Sequence, residues 1–239
     1  MTTLNILYED KHILVCVKPH GIATQSKNIR YPDMVSLIKN HLAKSSGESY
    51  GKSSGRPSGE PYLAVIHRLD QPVAGILVFA KTSDTAKKLN QQLQNHGFGK
   101  YYRALVTAPP SKRDDTLENY MIKDARTNTS RICSAKENGA KLARLHYCTV
   151  PDSDRLFTPS KSSETELEIH LDTGRHHQIR VQLASIGCPI AGDTKYNPDS
   201  ASIHEWQTIR LCAYKLDFKH PVTKKPLHFQ LSSDPDSYR

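Results

Sequence analysis

Arg68 and Asp70 stand two positions apart in the stretch His67-Arg68-Leu69-Asp70-Gln71-Pro72-Val73-Ala74-Gly75-Ile76-Leu77-Val78-Phe79-Ala80-Lys81-Thr82. An ionised carboxylate can act as a nucleophile or as a general base, and a neighbouring guanidinium favours its charged form. The polar part is short and opens straight into an apolar run, so the carboxylate sits in a loop at the mouth of a buried strand. Loops held by rigid elements are where reactive side chains concentrate. An Arg-x-Asp pair by itself is more often a surface ion pair of little consequence. The remaining chemical patterns are mostly excluded. His176-His177 has no third ligand at metal-binding spacing, and five cysteines at wide spacing form no CxxC pair, so neither a metal site nor a disulfide framework is expected. There is no G-x-S-x-G, no H-E-x-x-H, no P-loop and no G-x-G-x-x-G, which removes support for hydrolase and dinucleotide chemistry.

The elements that must carry these residues follow from periodicity. Leu4 to Tyr8 alternates, Ile13 to Val17 is a short apolar run that stops at Lys18-Pro19 and Gly21, and Gly75 to Lys81 is a further apolar strand. Pro32 to Lys44 has helical spacing. Ser83 is placed to cap a helix running through Asn95, with Ala86, Leu89 and Leu93 inward and Gly97 as its stop. Tyr101 to Thr107 reads as a strand with Tyr102, Ala104 and Val106 on one face and Tyr101 on the other. Lys123 to Lys141 reads as an exposed hairpin region. Thr165 to Leu171 alternates cleanly, and Asp172-Thr173-Gly174 turns the chain into a helix over 175–186 with Ile179, Leu183 and Ile186 on one side. Ile209 to Phe218 is the last long strand, before the His220-Pro221 turn. Segments 45–60 and 151–163 read as flexible polar loops. Strands outnumber helices and are often sequential, so the class is α+β with a mostly antiparallel sheet, in a single domain over 1–239.

Composition narrows the setting. Hydrophobic residues make up 37% and charged residues 24%, as in ordinary globular proteins, and no apolar run reaches the roughly 18 residues of a membrane span. The first ten residues lack a secretory pattern, and cytoplasmic location is the expectation. The formal net charge of +9 favours a polyanionic partner such as nucleic acid.

Several ordered motifs together resemble one family. The 67–82 stretch is similar to the HRLD motif of RluA-type RNA pseudouridine synthases, the enzymes of ribosomal and transfer RNA. Tyr8-Glu9-Asp10 and Val17-Lys18-Pro19-His20-Gly21 are similar to that family's opening pattern, and Lys100-Tyr101-Tyr102-Arg103-Ala104-Leu105-Val106 to its K-x-Y-x-A-L-V strand. Thr173-Gly174-Arg175-His176-His177-Gln178-Ile179-Arg180-Val181-Gln182-Leu183 resembles its TGRTHQIRVHL helix, and Gly187 to Tyr196 its GxPIxGDxxY segment. Leu211 to Pro226 resembles its closing strand and turn. The resemblance covers nearly the whole chain outside the two long loops. This chain departs from the family at Val73-Ala74, His176, Gln182 and Asn197, none of them at the catalytic positions. The departures mark a distinct subgroup and leave the RNA target open.

The resemblance implies a pseudouridine synthase fold with flanking helices and a central RNA-binding cleft, working without a cofactor. It makes Asp70 the catalytic carboxylate, Tyr102 the ring that stacks on uracil, and Arg180 the cation that pairs with Asp70. Arg68 is the candidate that fills the gap left by a flipped base. His67, Lys100 and Arg175 are further substrate-binding candidates, and Ile76 and Leu183 candidate apolar floor. Residue pattern alone leaves Tyr102, Ile76 and Leu183 equally open to a core role and Arg180 to a surface one. Lys18, Lys81 and Arg103, and the hairpin cations Arg126 and Arg131, are expected near RNA phosphates. Some members of that family carry an N-terminal S4-type domain. None is expected here, so target choice would rest on the catalytic domain and its loops. The expected partner is ribosomal or transfer RNA, with the protein acting as a monomer. The competing reading is a non-catalytic RNA-binding protein or RNA-folding factor on the same fold, against which the joint presence of Asp70, Tyr102 and Arg180 speaks.

Overall fold

The computed structural model describes residues 4–26, 30–45, 61–201 and 208–232. The expected loop at 45–60 lies outside the described residues apart from Ser45, the last residue of a helix. The chain forms two compact units. Of the described residues, the first comprises those up to Phe98 together with Asp217–Phe229, and the second comprises Gly99–Leu216 with residues 230–232.

In the first unit, β1 (Asn5–Glu9), β2 (Ile13–Lys18) and β4 (Ala74–Ala80) pair antiparallel, and the two-residue β3 (Ala64–Val65) pairs antiparallel with β4. Every residue of β2 and β4 is buried. That is why both read as continuous apolar runs rather than alternating ones. Helix α1 (Met34–Ser45) buries Met34, Ile38 and Leu42. Helix α2 (Ser83–Gln94) is capped by Thr82, not Ser83: the Thr82 hydroxyl accepts from the Thr85 amide at 3.2 Å while Thr82 itself keeps extended backbone.

A polar staple closes this unit. The Asp10 carboxylate accepts from the amides of His12 and Ile13 and from His220 Nε2 at 2.9 Å, and His220 Nδ1 accepts from the amides of Val222 and Thr223. Both ring nitrogens of a buried histidine are thereby satisfied.

The second unit holds β5 (Gly99–Val106), β6 (Asp114–Asp124), β7 (Thr129–Cys133), β8 (Lys141–Thr149), β9 (Thr165–Leu171) and most of β10 (Leu211–Lys219), in the order β10-β5-β9-β8-β6-β7. The pairs β5–β9, β9–β8, β8–β6 and β6–β7 are antiparallel. One face is apolar, with Tyr102, Ala104, Val106, Leu167, Ile169, Leu145 and Tyr147 buried, and the register puts Tyr102 opposite Ile169. Helix α3 (Gln178–Ser185) buries Ile179, Val181 and Leu183. It is shorter than the spacing implied, because His177 takes left-handed backbone (φ +55) and the helix starts only after it. The segment 151–163 is irregular apart from a 3-10 turn at Asp152–Asp154. The buried Glu166 carboxylate accepts from the amides of Leu156 and Phe157, and Glu164 accepts from those of Ser160 and Lys161. β11 (Pro226–Gln230) begins where the matched Leu211–Pro226 segment ends, and its exposed alternate residues give little apolar signal.

Candidate active site

The first unit fixes the loop that carries Asp70. Thr24 Oγ1 donates to the Leu69 carbonyl at 3.0 Å and accepts from the Leu69 amide at 3.2 Å. The Val73 amide donates to the Asp70 carbonyl at 3.0 Å, closing a tight turn around the aspartate. His20 Nδ1 donates to the Pro72 carbonyl at 2.7 Å. Gln71 is held twice by Gly21, its carbonyl accepting from the Gly21 amide and its side-chain amide donating to the Gly21 carbonyl. Gly21 can do this because it occupies φ +81, a conformation costly for other residues.

Beneath these contacts lies Lys18, whose ammonium donates to the carbonyls of Pro19, Ile22 and Gln71 at 3.0, 2.7 and 3.0 Å. With Lys18 completely buried, its expected role at an RNA phosphate is overturned. The charge is committed to three backbone oxygens, and it ties the Lys18–Ile22 turn to the Asp70 loop. A lysine ammonium supplies the three donors this needs in one compact group.

On that fixed backbone Asp70 is half-buried and Arg68 exposed, with Arg68 NH2 donating to Gln25 Oε1 at 2.8 Å. His67 is half-buried and its Nε2 accepts from the Val78 amide at 3.4 Å. Ile76 is buried in the middle of β4, paired with Val17.

The second unit carries the other candidates. Tyr102 is buried on the apolar face of β5, two positions from the half-buried Lys100. Burial lowers the proton affinity of Lys100, and the Asp172 carboxylate partly offsets this. Arg175 is exposed and its Nε donates to the Leu142 carbonyl at 2.7 Å. The turn between them is clamped by Gln178, whose side-chain oxygen accepts from the Thr173 hydroxyl and the Arg175 amide while its nitrogen donates to the Arg144 carbonyl. Leu183 is fully buried in α3.

Arg180 is not a residue at the rim of the helix face. It is only 4% exposed. Its Nε and NH2 donate to the two carboxylate oxygens of Asp193 at 2.8 and 2.7 Å, a bidentate pair, and its guanidinium lies 5.1 Å from the centre of the Tyr196 ring. Asp193 also accepts from the amides of Lys195 and Tyr196. Both Asp193 and Tyr196 stood in the matched Gly187–Tyr196 segment, but nothing in their spacing signalled that they would grip Arg180.

Tyr196 continues the network. Its hydroxyl accepts from the Ser130 amide at 2.7 Å and meets His177 Nδ1 at 2.7 Å. Burial, with the Arg180 charge next in importance, pushes the His177 proton affinity down to about 2, so the ring is neutral and Nδ1 takes the tyrosine proton. His176 stacks on His177 with ring centres 3.7 Å apart and reaches Ser130 Oγ at 2.9 Å. The strained His177 backbone is thus held from two sides. Arg103 pairs with Glu166 and Glu168 in the sheet, and Arg131 pairs with Glu137 in the hairpin, so neither stands as an uncompensated cation.

The structure therefore brings His67, Arg68, Asp70 and Ile76 together in the first unit, and Lys100, Tyr102, Arg175, Arg180 and Leu183 in the second. Among the described residues no group of three or more His, Cys, Asp or Glu side chains is arranged to hold a metal ion.

Residues 12–185 match the family model described as RNA pseudouridylate synthase. The chain belongs to the RNA pseudouridylate synthase family. It is of the RluA type, a group of isomerases. It is 30% identical to the ribosomal large subunit pseudouridine synthase D of Zymomonas mobilis, over 98% of this chain and 70% of that relative. It is 25% identical to the tRNA pseudouridine synthase C of Pectobacterium carotovorum, over 98% of this chain and 60% of that one. The chain thus spans roughly two thirds of the length of these relatives. Among solved structures it is similar to human RNA pseudouridylate synthase domain containing 4, with a TM-score of 0.73 at 20% identity over 98% of this chain and 90% of that one. That likeness bears out the α+β, mostly antiparallel architecture of this synthase family member. No described helix is long and apolar enough to cross a membrane.

Proposed function

We propose that this synthase converts a uridine of ribosomal or transfer RNA to pseudouridine, with Asp70 as the catalytic carboxylate, Tyr102 as the platform for the uracil ring and Arg180 as the cation that keeps Asp70 ionised and aimed. The observation that carries this assignment is the fixation of the Asp70 loop. Its backbone is fastened by Lys18, Thr24, His20 and Gly21, while the carboxylate itself is half-buried on a turn. Fixed geometry is what a reaction needs from a group that must meet one carbon atom.

The reaction breaks the bond from ribose C1′ to uracil N1, turns the base, joins C1′ to C5, and moves the C5 proton to solvent while N1 gains one. No atom is added, so no cofactor is required. Asp70 can attack C1′ as a nucleophile or remove a sugar proton as a base; both demand its ionised form. The target base must first leave the stack, which costs a few kcal/mol. Arg68, exposed on the same loop, would fill the gap. Tyr102 offers its ring as a stacking surface.

Asp70→Asn tests the proposal. RNA from cells lacking the gene, incubated with wild-type protein, should gain pseudouridine at one or a few mapped positions. The variant should bind that RNA and form none. Normal conversion by Asp70→Asn would overturn the assignment.

A further inference from the structure

We propose that Lys100 is the seat of an RNA phosphate adjoining the flipped uridine. The proposal rests on the role given above to Tyr102. Along a strand, positions two apart share a face and lie about 7 Å from each other, so Lys100 and Tyr102 emerge on one side of β5 one step apart. A ring that holds a base and a cation at the next position match a nucleotide and its phosphodiester.

The environment of Lys100 points to an anion supplied from outside the chain. Its ammonium is half-buried at a cost to its proton affinity, yet among the described residues it makes no hydrogen bond and no ion pair. Asp172 acts on it only from a distance. Other cations of the matched motifs are used differently. Lys18 is consumed by carbonyls, Lys81 pairs with Glu9, Arg103 with Glu166 and Glu168, and Arg144 with Asp172 and Glu118. The approach to Lys100 is also kept clear. A side chain on Gly174 would begin 3.9 Å from the ammonium. Gly174 has no left-handed backbone that would require glycine, so the missing side chain serves space rather than conformation.

The test measures binding of a labelled oligouridylate as a function of salt. For wild-type protein the logarithm of affinity falls linearly with the logarithm of salt concentration. Lys100→Met, which keeps the apolar stem, should flatten that slope by about 0.7, the contribution of one phosphate on a single strand. It should also weaken binding roughly tenfold near physiological salt, which is about 1.4 kcal/mol. Lys100→Arg should restore most of both. Gly174→Leu, a change at an exposed turn, should weaken binding in the presence of Lys100 and add little to Lys100→Met, which keeps the proposal testable if the methionine variant folds poorly. An unchanged slope in Lys100→Met, or equal effects of Gly174→Leu with and without the lysine, would overturn it. Asp70→Asn separates the two levels. Full activity of that variant removes the catalytic assignment, whereas an inactive Asp70→Asn beside a wild-type slope in Lys100→Met removes the phosphate seat alone.

Discussion

Replacing Asp193 by Asn should destabilise the protein severely, although residue 193 is outside the motif that holds Asp70. The carboxylate is fully buried and accepts two hydrogen bonds from Arg180, at 2.8 and 2.7 Å, and two from backbone amides. The guanidinium it neutralises is itself 4% exposed. Asparagine keeps the shape and one oxygen acceptor but turns the second oxygen into a donor facing a donor. Removing one partner of a buried ion pair leaves the other charge uncompensated, at a cost of about 3–5 kcal/mol. For a chain of this length each kcal/mol lowers the melting temperature by about 2–4 °C, so a drop of roughly 6–20 °C is expected. Thermal unfolding followed by circular dichroism measures it. A companion variant sharpens the test: Arg180→Met combined with Asp193→Leu removes both charges and fills the space with apolar groups, and should recover most of the lost stability while remaining inactive. A fall of less than about 2 °C for Asp193→Asn would show that the pair is not the buried structural unit described above.

Two further outcomes follow from other buried contacts, one in each unit. Lys18→Met removes the ammonium donor shared by the carbonyls of Pro19, Ile22 and Gln71. It should cost a few kcal/mol of stability and reduce turnover more than RNA affinity, because Gln71, beside the proposed catalytic residue Asp70, is then held only by Gly21; steady-state kinetics with an unaltered kcat would contradict this. For His177 the sign is fixed by its depressed proton affinity. The unfolded chain takes up a proton near pH 6.5 and the folded one only near pH 2, so the unfolded state is favoured progressively as pH falls below 6.5. Nuclear magnetic resonance should show no titration of its ring between pH 5 and 8, and His177→Asn, a residue that tolerates left-handed backbone, should flatten the loss of stability in that range.

The apolar framework was legible because burial leaves a direct trace in residue type. β2, β4 and β9 lie almost where periodicity puts them, and the Asp70 loop stands out because it opens directly into the apolar run of β4. What the sequence hid were features made by partners distant along the chain. β6 exposes alternate residues over most of its length and has few apolar side chains to betray it, and its pairing with β8 is a property of the sheet, not of either segment. The start of α3 was misplaced because His177 adopts a conformation that histidine rarely chooses, and the stacking His176 and the Tyr196 hydroxyl that hold it are tertiary contacts. Lys18 gave a charge but no sign of burial, and its three carbonyl partners become visible only once the chain is folded around it. Asp193 was similarly silent: its place in a matched segment named it, but the arginine it binds is thirteen residues earlier in the chain.

The staple between Asp10 and His220 has a consequence for how the molecule is made. The unit that holds the Asp70 loop is assembled from residues up to Phe98 and from Asp217–Phe229, with Gly99–Leu216 of the other unit between them in the chain. On a ribosome moving at about 5–20 residues per second, the leading segment must wait roughly six to twenty-four seconds while Gly99–Leu216 is made, before its closing strand is synthesised. Through that interval Asp10 lacks the His220 ring and Tyr8 the Phe229 ring, while most of the other unit is already made. Nascent chains halted just before residue 217 should therefore be the ones that chaperones hold longest.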